Sequence, residues 1–206
     1  MGRWEIAWPV PENDLPQLID RWLGRYGLLC RESLSVETGP VSWNEVYESL
    51  KLREYAGKVV RGYFIQGISG MQFMLPEAYQ KLGAPAGMRV INACDPAQAY
   101  GKVIPHGASV LPFANVPGTV LVTDGGMPSV ILGRFGERVT FTGTAARVTQ
   151  AIELFKAAFL ERRVWPDQRR VVVKHWPEDA DQREILQTAL AAAGFKNVVQ
   201  DMVLRR

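Results

Sequence analysis

Cysteine and histidine are scarce in this chain: Cys30 and Cys94 are the only thiols, and His106 and His175 the only imidazoles. A disulfide framework is therefore not indicated, and a reducing compartment is the simpler expectation. A closed zinc site of the usual Cys/His kind cannot be assembled from so few ligands. No basic leader precedes an apolar run, and no apolar stretch reaches the roughly 18 residues of a membrane-spanning helix. Secretion and membrane insertion are not expected; a cytoplasmic location is. The common nucleotide signatures are also missing. Lys58 and Lys102 follow glycines, but each precedes valine and lacks the upstream glycine of a phosphate-binding loop. There is no GxGxxG, HExxH or GxSxG. The chain is not expected to be an ATPase by itself, and it carries no cofactor signature.

What is present is material for one or two hydrophobic cores, since 47% of the 206 residues are hydrophobic. Lysine and arginine number 24 against 21 acids, a net charge of +3, which permits an anionic partner without requiring one. Arginine supplies most of the positive charge, and its planar fork suits phosphates and base edges. A GC-rich genome or a heat-adapted source would give the same bias.

The opening "MGRWEIAWPV" is strand-like and aromatic, as fits a natural start or a piece of something larger. In "DLPQLIDRWLGRYG", residues Leu15, Leu18, Ile19, Trp22, Leu23 and Tyr26 recur at the spacing of one helix face, with Asn13 or Asp14 as cap and Gly27 as stop. "LLCRESLSVE" reads as a short second helix. Ser42 and Glu45 form a capping box for a third, striped by Trp43, Val46, Tyr47 and Leu50. "KVVRGYFIQ" and "MQFML" follow as two strands around "GISG". Three helices and a ribbon is the winged-helix order, in which the third helix enters the major groove. Its candidate nucleic-acid contacts are Lys51, Arg53, Lys58 and Arg61, diluted by Glu48 and Glu54. A winged helix that mainly packs against protein is the alternative.

Residues 76–107 begin with a short helix and continue as a connector. "ASVLPFANV", "GTVLVTDGG", "PSVILGRF" and "ERVTFTG" are short strand-like runs, with turns at Gly125–Gly126 and near Gly133 and Gly136. A long helix follows with Val148, Ala151, Ile152, Phe155 and Phe159 on one face and Thr144 as cap. Then come the strand "RRVVVKHW", a helix ending at Gly194, and a last strand "FKNVVQDMVLRR". The expectation is an α+β fold: a winged-helix domain at 1–83, a connector at 84–107, and a small β-barrel-like domain with packed helices at 108–206.

Asp124 and Asp201 are the acids worth naming. Asp124, at a hairpin tip, either polarises water or simply makes the turn; Asp201, beside the basic tail, either acts on DNA or forms a strand-face salt bridge. His106 reads as a turn residue, and His175 as structural or nucleotide-contacting. The pairs Arg162–Arg163, Arg169–Arg170 and Arg205–Arg206 converge with Lys174 on one phosphate-binding face if the last strands are neighbours. A solvated helix end and a frayed tail are the alternative. Trp43, Trp176, Tyr63 and Phe64 offer stacking surfaces for an unpaired strand, although only one of Tyr63 and Phe64 can face outward.

"GRW", "LLCRE", "EVYESLKLREYAGKVVRGYFIQGISGMQFMLPEA", "DPAQAYG", "GTVLVTDGGMPSVILGRFGERVTFT" and "ALAAAGFKNVVQDMVL" resemble the C-terminal region of the bacterial large helicase-related (Lhr-type) proteins. The most specific parts are Val60-Arg61-Gly62-Tyr63-Phe64 and the downstream "DP…YG". Val60 stands where the family pattern is basic, which weakens a phosphate contact there. The resemblance implies a winged helix and a β-barrel module of a superfamily 2 helicase. Such a helicase moves 3′ to 5′ on single-stranded DNA and unwinds duplexes, RNA:DNA hybrids included, in DNA repair. ATP and magnesium would belong to a motor upstream. The design is also similar to bacterial glycosylases that unhook crosslinks and alkylated bases, and some large helicase-related proteins are associated with an aspartate-dependent uracil glycosylase. Asp201 and Asp124 are the candidates here, while Gln80 and Gln98 do not match the glutamine signature of the alkyl-base enzymes.

Three readings follow: a DNA-positioning module for a helicase motor, binding single-stranded or forked DNA; a DNA glycosylase, which needs an acid facing a base-sized pocket; and an assembly domain that contacts other domains or forms a homo-oligomer. Exposed apolar residues on "MQFML" or on the alanine-rich helix at 189–193 would favour the last.

Overall fold

The computed structural model describes residues 14–37, 40–83, 87–104 and 111–206. The strand-like opening, the Asn13 cap and the turn at His106 lie outside the described residues. The chain divides into two compact units, Met1–Gly83 and Ala84–Arg206.

In the first unit, α1 (Leu15–Tyr26) buries Ile19, Trp22 and Leu23 along one face. Gly27 ends it at φ 71°, its N–H donating to Leu23 O at 2.7 Å, a left-handed cap that a β-carbon would strain. The stretch expected as one short helix is divided. Leu28–Leu29 is a strand, β1, and only Arg31–Val36 is helical, as a 3₁₀ turn. Strand pairing with Met74 and Phe73 takes the two leucines into the core. Next comes α2 (Trp43–Tyr55), opened by the expected capping box: Glu45 N donates to Ser42 Oγ at 3.4 Å and Ser42 N to Glu45 Oε2 at 2.8 Å. Val46 and Leu50 are fully buried, with Trp43 and Tyr47 packed against the same core. The ribbon is β2 (Val60–Gly62) and β3 (Gln72–Met74), in a sheet ordered β1-β3-β2.

Gln72 is buried within this wing, yet each of its amide hydrogen bonds replaces one the backbone ladder does not make. Its Oε1 accepts from Phe64 N at 2.9 Å and Ile65 N at 2.8 Å, and its Nε2 donates to Ile65 O at 3.0 Å. Phe64 turns inward, its ring edge-on to Tyr79 of α3 (Pro76–Tyr79), so Tyr63 is the outward member of the pair.

The second unit begins with a four-stranded antiparallel meander: β4 (Arg89–Asn92), β5 (Val120–Asp124), β6 (Met127–Gly133) and β7 (Arg138–Phe141). β4 falls in the segment expected to be a connector. Then follow α4 (Ala145–Leu160), β8 (Arg170–Val173), α5 (Ala180–Ala192), β9 (Lys196–Val198) and β10 (Asp201–Arg205), the last three strands forming a sheet ordered β8-β10-β9. The final segment, expected as one strand, is a hairpin that turns at Val199, whose φ is 60°.

The α+β class holds, but the β-barrel does not: no sheet closes. The meander stays open because both its faces are covered without closure. Val122, Val130 and Leu132 pack on Val148, Ile152 and Phe155 of α4. On the other side Leu121 and Ile131 pack with Ala93, Leu111 and Phe113. Leu111 and Phe113, expected in a strand, therefore serve as a loop cover over β5 and β6. After β7 the chain leaves into α4, and among the described residues the edge of β7 meets the second sheet at the isolated bridge Arg138–His175. Strands buried on both faces read as apolar runs, and the run Val120–Val122 fits that.

Candidate nucleic-acid interface

The outward face of α2 would read a groove in the helix-turn-helix mode. Glu45, Glu48, Leu52 and Tyr55 are its exposed residues at helical spacing, and Leu52 and Tyr55 are 70% and 85% exposed. Its cations, and Arg61 of β2, are already partnered. Lys51 Nζ lies 3.0 Å from Glu48 Oε2 and over the Tyr47 ring. Arg53 leans back onto α1, bonding Asp20 and donating to Pro16 O at 2.8 Å. Arg61 Nε is 3.1 Å from Glu54 Oε1. The hydrogen bond from Arg53 holds the Asp20 carboxyl below its usual range, and Glu48 pushes the Lys51 ammonium up. Lys58 is exposed with no side-chain ion pair among the described residues.

The β8-β10-β9 sheet is arranged differently. Val171, Val173, Met202 and Leu204 point into the core beneath it, under α4 and α5. Strand alternation sends Arg170 and Val172 of β8, Lys174 just after it, and Asp201, Val203 and Arg205 of β10 to the opposite face, where they line a groove of about 430 Å³. Arg170 and Arg205 are register partners, so two guanidinium-bearing residues face each other across the ladder. Like charges in that position repel. Arg134, on the turn before β7, joins them at the groove. None of these three arginines has a side-chain hydrogen bond or ion pair among the described residues. Lys174 does: it bonds Glu137, whose carboxyl it holds low.

Residues 9–90 match the family model described as large helicase-related protein, winged-helix domain. Over most of its length the first unit is thus similar to the winged-helix domain of large helicase-related proteins. The chain is also similar to the Lhr helicase/uracil glycosylase of Escherichia coli (strain K12), 26% identical over 153 residues, covering 67% of this chain and 10% of that protein. It is similar to the Lhr helicase/probable uracil glycosylase of Mycolicibacterium smegmatis, 30% identical over 117 residues, covering 50% of this chain and 8% of that protein. The chain thus spans about a tenth of the length of these large helicase-related proteins.

Against this background the two acids separate. Asp124 is gripped by Arg147, whose Nε donates to Oδ2 at 2.8 Å and whose Nη2 donates to Oδ1, so it fastens the β5–β6 hairpin to α4. Asp201 lines the groove, and its carboxylate has no ion pair among the described residues. Trp176 lies outside the groove, donating from Nε1 to Gln200 O at 3.0 Å and lining a separate hollow with His175. Arg169 is exposed at the sheet edge, its carbonyl accepting from Arg206 N. Arg206 is not a frayed tail. Its guanidinium lies 4.1 Å from the Phe159 ring centroid and donates to the carbonyls of Phe159, Val164, Trp165 and Pro166. Arg163 pairs with Glu161. Trp43 is half-buried against Tyr47.

Arg134 and Phe135 escaped the sequence reading, although "GRFG" carried a signal. Glycines on either side of an arginine and an aromatic mark a tight turn that forces both side chains toward the surface. Among the described residues no cluster of three or more His, Cys, Asp and Glu is placed to hold a metal, and no helix is long and apolar enough to cross a membrane.

Proposed function

We propose that this chain is a nucleic-acid-binding module of a 3′-to-5′ ATP-dependent DNA helicase of the large helicase-related type, engaged in DNA repair. It holds DNA, single-stranded or forked, for a motor that binds ATP and magnesium elsewhere in the protein. The observation that carries this reading is the register pair Arg170–Arg205, neither with a side-chain ion pair among the described residues, with Arg134 at the same groove. Apposed guanidinium groups are relieved when a phosphate bridges them, and arginine binds phosphate in a bidentate fork. Arg169 and Lys174 add positive charge that an approaching strand senses at longer range. The large helicase-related homology of the first unit supplies the motor context.

The test is fluorescence anisotropy with single-stranded, duplex, forked and RNA:DNA hybrid probes across a salt series. Binding should weaken steeply with salt. Changing Arg170 and Arg205 to Gln should remove two phosphate contacts, flattening the log–log slope by about 1.4 for a single strand. Absence of binding at low salt would sink the proposal.

A second reading rests on Asp201. Its unpaired carboxylate borders a groove with room for a flipped base, and both relatives carry uracil glycosylase in their names. It would act on uracil or an alkylated base by stabilising the cation that develops on the sugar. Strand-cleavage assays on uracil-containing single strands decide it, with Asp201→Asn as the control. Equal activity in both proteins would exclude Asp201.

A further inference from the structure

Three consecutive residues between β6 and β7 have left-handed backbone: Arg134 at φ 52°, Phe135 at φ 56° and Gly136 at φ 90°. Two of them are not glycine, and such conformations persist only where their surroundings enforce them. Here the surroundings are specific. A β-carbon on Gly136 would sit 2.3 Å from Val171 Cγ1, so the turn is pressed against β8. Phe135 N donates to Gly118 O at 2.8 Å. Glu137 O accepts from both Lys174 N and His175 N at 2.9 Å, fastening the far end of the turn.

The product of this bracing is an aromatic ring held at the surface. Phe135 packs against Gly118, where a β-carbon would meet the ring at 2.8 Å, and lies 5.7 Å from the Trp165 ring. It nevertheless remains 43% exposed. Core packing does not call for a strained turn that leaves a phenyl ring half in water.

Phe135 stands between two hollows. On one side is the arginine groove; on the other is a hollow of about 370 Å³ that includes Asn92, Cys94, Trp165 and Gln168. Trp165 is 6% exposed, and its indole Nε1–H is buried without a hydrogen-bond acceptor. Trp165 therefore backs the exposed ring as part of the hollow wall.

Resting on the nucleic-acid reading above, we propose that this turn is a base-stacking wedge selective for unpaired strands. Phosphates lie on Arg170 and Arg205, one base stacks on Phe135, and its edge enters the hollow behind. A paired base in a duplex keeps its faces stacked on its neighbours and cannot make this contact. The class of ligand is single-stranded nucleic acid, with the wedge indifferent to which base it meets.

The experiment compares wild type, Phe135→Leu, Phe135→Ala and Arg170→Gln/Arg205→Gln on a single strand, the same strand with abasic positions, and its duplex. Phe135→Leu keeps apolar packing against Gly118 while removing the aromatic face, and a thermal melt confirms each fold. About tenfold weaker single-strand binding is expected for both Phe135 variants, with duplex binding unchanged. Wild type should lose a similar factor on the abasic strand, and Phe135→Leu should not. Cys94, the exposed thiol at the hollow, gives a second readout: single-stranded oligonucleotide should slow its alkylation severalfold. If the Phe135 variants bind single strands like wild type and Cys94 is unprotected, the wedge is wrong while the arginine groove stands. If the arginine double variant also binds like wild type, the groove reading fails with it.

Discussion

The winged helix and the open sheet both present arginine and lysine, and leave them in opposite electrical states. On α2 and β2 the cations have an acid within reach: Lys51 has Glu48 one turn away, Arg53 has Asp20 on α1, and Arg61 of β2 has Glu54. Helical spacing makes the Lys51–Glu48 pair easy, because residues three and four apart share a face, and the other two pairs join neighbouring elements. On β8 and β10 the register does the reverse, setting Arg170 opposite Arg205. A winged helix is commonly read as the nucleic-acid contact of a protein. Here α2 shows solvent two glutamates, Leu52 and Tyr55, and the arginines that face each other without an ion pair lie on the other unit.

The sharpest way to break this contrast is charge reversal on each unit in turn. Arg170→Glu with Arg205→Glu should lower single-strand affinity about a hundredfold near 0.1 M salt, roughly 2.7 kcal/mol. Lys51→Glu with Arg61→Glu should change it by about threefold or less. The opposite ranking in an anisotropy titration would return DNA contact to the recognition helix. Next in size is Arg53→Ala, read as loss of the α1–α2 tie. It should destabilise the first unit by roughly 1 kcal/mol in a urea melt and leave DNA affinity unchanged.

A smaller effect sharpens the comparison from the other side. Glu48→Gln with Glu54→Gln releases Lys51 and Arg61, and should raise DNA affinity about twofold. No gain would mean that α2 is turned away from the strand. The smallest effect is on pH dependence. Asp20 is held below its usual range by the hydrogen bond from Arg53, so the stability it contributes is present above the unfolded carboxylate pKa. That contribution is lost as pH falls through the lower, folded value. The difference between wild type and Asp20→Asn should therefore stay constant from neutral pH to about pH 5 and vanish in stronger acid.

How much of this was legible in the sequence depends on whether local spacing decides the outcome. The α2 capping box and the buried stripes of α1 and α4 were readable, because cap and stripe lie within a few turns of each other. β1 was not. Leu28 and Leu29 become strand only through Met74 and Phe73, far along the chain. The barrel was wrong for the same reason: whether β4 and β7 meet is settled by what covers the sheet, and α4, Leu111 and Phe113 cover it. Among site residues, Arg170 and Lys174 were found from their strand and brought to one groove. Arg53 was misread as a surface cation because Asp20, its partner, sits on another helix. Exposed apolar residues on "MQFML" would have favoured an assembly domain, but its Gln72–Met74 strand is the buried centre of its sheet.

Gln72 has a consequence for how the wing moves. The amides of Phe64 and Ile65 lie beyond the last register pair of the ribbon, Gly62–Gln72, where backbone hydrogens ordinarily trade with solvent quickly. Because a side chain of β3 holds both amides, they can open only when β3 lets go. In deuterium these two positions should therefore exchange at the pace of the ribbon itself, while the loop tip at Gly67 and Gly70 exchanges at once. The wing thus has a stiff root and a loose tip, and the boundary between them is set by one glutamine.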